Sequence, residues 1–338
     1  MATVTASVPL VGYATTPTTA GGNYAGVNYS GTFIPTLWAS KLNRKFYTST
    51  CLTEITNTDF QGDIANLGDK VVINNVPDIA IADYKIGGDL NYAVPTPSTV
   101  ELVIDRAKSF QFQVNDVIVH QSKPNMMETF SNDAAMQMKI AIDKAVIHGD
   151  SAALPGISST ADAANQGATA GAKTGKYNLG TADAPIALTG ANVLQTLTAL
   201  SGVLDEQNIP ETDRWLLIDP YTRNLLMQSN LAQAQFMGDD KSMVRNGKIG
   251  MIDRFTTYVT NQLPAAAAAQ DYWGGAAAGT AARRVIMAGH KSAVTFASQM
   301  TKLETLRNPR DFGDLVRGMQ TFGWKTLLPK ALAVALVN

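Results

Sequence analysis

The chain has 338 residues, more than one hydrophobic core comfortably serves, so about two domains are expected. Hydrophobic residues make up 45% of it and charged residues only 16%, well under the roughly 25% of an average soluble protein. That deficit fits permanent self-association, because obligate interfaces exclude Lys, Glu and Asp. A formal net charge of −1 excludes a field that grips nucleic acid, and the single Cys51 excludes an internal disulfide or a paired-thiolate metal site. No run of about 18 apolar residues is present to span a bilayer, and the N-terminus lacks the basic region and apolar stretch of a secretory signal. Synthesis and assembly in a cytoplasm are expected.

In chain order, Met1 to Ser40 contains no Asp, Glu, Lys or Arg, yet it carries Tyr13, Tyr24, Tyr29 and Phe33. Disordered segments usually combine net charge with few aromatics, so this stretch reads as an extended arm that orders against a neighbour; a floppy terminus is the alternative. A short helix follows from Pro35, with Ile34, Leu37, Trp38, Leu42 and Phe46 as its apolar stripe and Lys41, Arg44 and Lys45 turned outward. Lys70 to Val76 and Thr99 to Asp105 are β-branched and partly alternating, as in two strands. The connection between them holds Pro77, Gly87, Gly88, Pro95 and Pro97 around a polar centre of Asp83, Lys85 and Asp89. Connections longer than about 12–15 residues are usually functional or disordered. Residues 62–105 therefore read as a projecting two-stranded arm, which needs another surface to lie on because an isolated hairpin is marginal in water.

Ser109 to Asn115 alternates strictly, placing Phe110, Phe112 and Val114 on one face of a strand. A capping box of Asn125 and Glu128 opens the clearest helix, residues 126–148, in which Met127, Phe130, Ala134, Met138, Ile142 and Val146 recur at helical spacing up to Gly149. Leu154 to Pro185 collapses to Ala, Gly, Thr, Ser and Asn and reads as a surface loop or domain boundary. Beyond it the pattern gives a helix over 190–207, a buried strand at Trp215–Ile218, a short helix from Pro220 to Gln228, and strands at Phe255–Thr260 and Arg284–Ala288. A short helix at Lys291–Ala297 and strands at Thr301–Leu306, Val316–Leu327 and Ala331–Val337 complete the chain. This irregular mixture of strands and helices is an α+β class.

The search for chemistry is mostly negative. His120, His148 and His290 have no partners in motifs for zinc, and no calcium-loop pattern occurs. Gly167 to Lys176, GATAGAKTGK, resembles a phosphate loop but misses its spacing, and Gly156-Ile157-Ser158-Ser159-Thr160 lacks the last glycine of a nucleophile elbow. Arg283-Arg284 and Lys41, Arg44, Lys45 read as solvated faces or contacts to a neighbouring copy rather than DNA sites.

Several segments resemble the major capsid proteins of tailed bacteriophages. They are Phe33-Ile34-Pro35-Thr36-Leu37-Trp38 leading to Lys41-Leu42 and Phe46-Tyr47, Gly68-Asp69-Lys70-Val71, and Met136 through Asp143. So do Ala288-Gly289-His290-Lys291, Ala293, Phe296-Ala297, Glu304, Arg307 and Val316-Arg317-Gly318. The resemblance implies the Hong Kong 97-type capsid fold: an N-arm of residues 1–32, a short helix and start of the peripheral domain over 33–61, and an E-loop over 62–105. A peripheral domain over 106–153 would carry the long spine helix, 154–184 would be a variable loop, 185–297 an axial domain, and 298–338 return strands. It further implies a non-enzymatic virion shell of hexamers and pentamers around double-stranded DNA, in only weak, non-specific proximity to it, with no cofactor. A separate scaffolding protein, a portal and a cement protein are the expected partners. The expected interface residues are Asp83, Lys85, Asp89, Leu90 and Tyr92 on the E-loop, Tyr13, Tyr24 and Tyr29 on the arm, and Arg307 and Arg310. The rivals are an encapsulin, which uses the same fold as a cargo compartment and begins with a cargo-contacting helix, and an enzyme with an unrecognised site.

Overall fold

The computed structural model describes residues 47–48, 50–60, 70–77, 79, 81, 83, 86, 94–116, 126–151, 154–229, 250–266 and 283–338. The arm, the helix expected at Pro35, the cap expected at Asn125 and most of the Ala/Gly-rich stretch after Pro264 lie outside the described residues. The first element is a single helical turn, α1 (Leu52–Ile55), with Ile55 buried. Strands β1 (Lys70–Asn75) and β2 (Ser98–Val103) pair antiparallel, Lys70 opposite Val103 and Asn75 opposite Ser98. Among the described residues the ribbon is anchored at its root. There Leu102 is fully buried against Ala297, with Phe60, Val71, Ile73 and Ile104 around it.

Strand β3 (Arg106–Asn115) leads to the long helix α2 (Met126–Ile147), which at about 1.5 Å per residue spans roughly 33 Å. The alternation read in β3 is realised: Phe110, Phe112 and Val114 turn inward, and Phe112 meets Phe130 of α2 edge-on with centroids 6.0 Å apart. Only the last turns of α2 are fully buried, at Ile142, Ala145, Val146 and Ile147. The chain then reverses through β4 (Gly149–Ser151) and β5 (Leu154–Pro155). Gly156 is required here, because a Cβ would stand 2.3 Å from the Ile147 carbonyl oxygen at the end of the helix.

Residues 156–190 are irregular, as their composition demands, but they are not the surface loop that composition suggested. Ile157, Asn165, Ala170 and Leu179 are fully buried, and the Asn165 side chain donates to the carbonyls of Lys330 and Leu332 at 2.6 and 2.8 Å. Small residues are what allow a chain without regular hydrogen bonds to pack this closely.

The second half builds α3 (Val193–Glu206), β6 (Arg214–Ile218), α4 (Pro220–Gln228), β7 (Met251–Ile252), β8 (Phe255–Val259), β9 (Ala265–Ala266) and β10 (Arg283–His290). Helix α4 starts as its sequence dictates, with Pro220 in the first turn and the Asp219 carboxylate accepting the Thr222 N–H at 3.1 Å. Strands β11 (Val294–Arg307), β12 (Gly313–Thr326) and β13 (Leu332–Val337) close the chain. The short helix expected at Lys291–Ala297 is instead one 3₁₀ turn, Lys291–Ala293, after which β11 begins. Pairing overrides the local pattern: Val294 lies opposite Thr326, Thr295 bridges to Asn57, and Phe296 faces Trp324.

Two sheets result. The first runs β11-β12-β3, antiparallel throughout, with a register shift in β11 between Gln299 and Thr301. The second runs β13-β10-β6-β8-β7, with β6 and β8 parallel and β9 beside β10. Its central strands are apolar on both faces and feed two cores. Trp215, Leu217, Val285, Met287, Leu332 and Val334 pack with the end of α2 and Ile55, whereas Leu216, Ile218, Ile286, Ala288, Ala333 and Ala335 pack with α3. The outer edge of β13 is covered by the irregular segment, where Leu336 N–H donates to Leu179, Ile186 N–H to Leu336, and Asn338 N–H to Ile186.

The two-stranded ribbon meets the first sheet through backbone. A Cβ on Gly323 of β12 would stand 2.1 Å from the Val103 carbonyl oxygen and 2.9 Å from the Ile104 Cα. Overpacking of this kind costs about 1–3 kcal/mol. Gly323→Val is therefore expected to lower the melting temperature and speed hydrogen exchange at Leu102 and Val103. Gly250→Ala, at a site with nothing within 4 Å of the added carbon, should leave both unchanged.

Candidate functional site

Among the described residues no group of three or more His, Cys, Asp or Glu is placed to hold a metal ion. The His290 ring accepts the Ser292 N–H and so caps a 3₁₀ turn, and burial pulls its pKa below the ordinary range. His120 lies outside the described residues. The phosphate-loop lookalike has an anion already. Its backbone N–H groups at Lys173 and Thr174 donate to Glu206 Oε2 at 2.8 and 3.1 Å, and the Thr174 hydroxyl donates to Oε1 at 2.7 Å. These bonds, the Thr174 hydroxyl first, hold the Glu206 carboxyl below its ordinary value. Gly171 and Gly175 supply the positive φ angles, +110° and +58°, that aim the loop's N–H groups inward. The segment is thus a structural clasp on the end of α3.

Since the folded pKa of Glu206 is depressed, its contribution is present above the ordinary 4.5 and is lost as pH falls through the folded value. Glu206→Ala should expose Lys173 and Lys176 to tryptic cleavage at neutral pH while the wild-type loop resists.

Arg214 is a buried cation that sequence reasoning missed. Its guanidinium donates to the carbonyls of Ile209 and Pro210 and pairs with Asp205 at 2.7 Å; Asp205 also takes Arg254 at 2.9 Å. Paired with Asp205 and bonded to two carbonyls, this charge holds the turn before β6 in place.

The surface, in contrast, carries large unpartnered apolar groups. Around the ribbon Val76 (92% exposed), Ile79, Ile81 (93%), Ile86 (94%) and Val94 stand in solvent, and Val72 is half exposed. Asp83 is exposed among them; Lys85, Asp89, Leu90 and Tyr92 lie outside the described residues, as do Tyr13, Tyr24 and Tyr29. The β11–β12 hairpin is a second such surface, with Leu303, Leu306 and Phe312 exposed. There the charge of Arg307 is spent inside the chain, on Asp116 and on Asp314 at 3.1 Å, whereas Arg310 is exposed at the turn. The polar centre of this connection stood out in the sequence and its isoleucines did not, although their apolar character within a Pro/Gly-rich stretch was the available signal.

The family model described as phage capsid protein matches residues 98–335. The chain belongs to the phage capsid protein family. No curated protein matches the sequence. Among solved structures, the capsid protein is similar to a chain from Mycobacterium phage Che8, with a TM-score of 0.69 and 23% identity over 89% of this chain and 96% of that one. A chain from the capsid of cyanophage P-SCSP1u gives 0.64 and 17% over 92% and 96%, and one from the mature capsid of bacteriophage PhiM1 gives 0.61 and 15% over 95% and 97%. The resemblance to tailed-phage major capsid proteins is borne out, and the capsid protein has the expected Hong Kong 97-type α+β fold. Its family is one of structural proteins, which points away from catalysis and makes it a component of the phage virion. No helix among the described residues is long and apolar enough to cross a membrane.

Proposed function

We propose that the capsid protein self-assembles through its ribbon and its N-terminal arm into hexamers and pentamers of an icosahedral shell that encloses phage double-stranded DNA. The observation that carries this reading is the set of exposed aliphatic side chains on the ribbon, Val76, Ile79, Ile81, Ile86 and Val94. Burying one such side chain yields about 1.5–3 kcal/mol, so a ribbon laid across an adjacent copy gains several such increments that the isolated subunit forgoes. On this reading residues 62–105 are the E-loop, β3 with α2 and the β11–β12 hairpin form the peripheral domain, and the β13-β10-β6-β8-β7 sheet with α3 forms the axial domain. The arm, with Tyr13, Tyr24 and Tyr29, extends over another copy, and Arg310 with Phe312 meets a neighbour at the hairpin turn.

Many modest contacts in a closed symmetric array hold collectively, which lets subunits correct their positions before the shell closes. A net charge of −1 suits a wall around a polyanion. Each phosphate gripped would add salt-dependent attraction between container and contents. A separate scaffolding protein, a portal and a cement protein complete the assembly in the host cytoplasm. Deletion of residues 78–94 should give folded, soluble subunits, by circular dichroism and gel filtration, that form no particles in negative-stain electron microscopy; full-size shells from this variant would refute the role given to the ribbon.

A further inference from the structure

The segment that joins the N-terminal residues to the body lies along α2. Tyr47 donates its hydroxyl to Asp133 at 2.9 Å, and further on the N–H groups of Leu52 and Cys51 donate to Asp143 Oδ1 at 2.9 and 3.4 Å. Asp143 is 1% exposed, and its other oxygen, Oδ2, is buried with no hydrogen-bond partner among the described residues. A carboxylate half satisfied in this way is a costly object to bury. The cost would vanish if the α1 segment lifted and water reached Oδ2.

We propose that Asp143 is a proton-dependent latch: its neutral form holds the segment Cys51–Ile55 against α2, and its ionised form favours release of that segment.

Among the described residues the surroundings supply no compensating cation. Of the groups facing the site from α1, the Cys51 thiol is pushed up to about 12 by burial and by Asp143, and Glu54 accepts from the Tyr258 hydroxyl of β8 at 3.5 Å. The Thr260 hydroxyl, just past β8, is directed to Cys51. On β3, Lys108 is held by Asp150 of β4 at 2.7 Å, and Arg106 lies over Trp324 and beside Asp105. Lys139 and Lys144, on α2 itself, are exposed. Burial raises the Asp143 carboxyl from the ordinary 3.8 to about 6, against the opposing pull of the two N–H bonds. With the folded value raised, the closed joint is most stable below about 3.8 and loses that stability as pH rises through about 6. Acid therefore tightens this joint, the reverse of ordinary acid denaturation.

Cys51, the chain's one cysteine, is buried at the latch and reports its opening. Full-length wild-type and Asp143→Asn subunits would be labelled with a dipyridyl disulfide, whose sulfur the Cys51 thiol attacks with release of one pyridinethione, in acid as well as at neutral pH. The ratio of their rates cancels the intrinsic pH dependence of the thiol. That ratio, wild type over variant, should rise about tenfold between pH 5 and pH 7. A flat or falling ratio overturns the proposal. Hydrogen exchange in the wild type, corrected for intrinsic rates, gives a readout that needs no variant. Protection at residues 52–55 should fall by the same factor over this range, while the amides of β6 keep theirs. Unchanged protection at 52–55, or an equal loss in β6, overturns it too.

Discussion

The fold depends on one constraint: the strands β6, β10 and β13 must be covered on both faces. Their alternate side chains enter two different cores, so neither the α2 side nor the α3 side can form without the other. Trp215 and Leu217 point one way and Leu216 and Ile218 the other, and a shift of one residue in register would exchange the two sets. This explains why so much of the second half of the chain is committed to packing. The long helix is fixed at its buried end, Ile142 to Ile147, while its first turns ride on the half-exposed face of β3.

From that rigid centre the exposed elements project. The ribbon is attached through Leu102 and through the backbone contact at Gly323, and the β11–β12 hairpin extends from strands that are paired along their full length. Most of the strongly exposed aliphatic side chains lie on these projections, whereas those of the central strands of the supporting sheet are buried. On the proposed reading, a subunit organised this way keeps its own stability separate from the affinity it offers to other copies. The segment 47–55 is the intermediate case, held by two aspartates of α2 and, through Cys51 and Ile55, by the edge of the core.

Much of this was legible in the sequence because strong periodicity survives translation into structure. The long helix, the short helix behind Pro220 and the strand Trp215–Ile218 all appear where residue spacing places them. The failures have physical causes. Val294, Thr295 and Phe296 read as part of a helix because their strand partners, Thr326, Lys325 and Trp324, lie some thirty residues away in the chain. The stretch Leu154 to Pro185 read as a surface loop or domain boundary because burial of irregular backbone leaves no hydrophobic period; its side-chain and backbone bonds to the C-terminal strand are invisible to any local pattern. The Asp143 site was hidden for a related reason. One carboxylate in a helix says nothing of the turn, ninety residues earlier, that lies across it. The family resemblance carried the functional reading further than any motif did, because a shell protein has no catalytic signature to find.

The strip of backbone laid along β13 has a further meaning for a protein whose family builds shells from many copies. A bare strand at the rim of a sheet is an invitation to endless stacking. Here Leu179 and Ile186 take up the outward amides and carbonyls of that rim. Growth into filaments is closed off along this side, which leaves polymerisation to surfaces whose geometry can end in a sealed container.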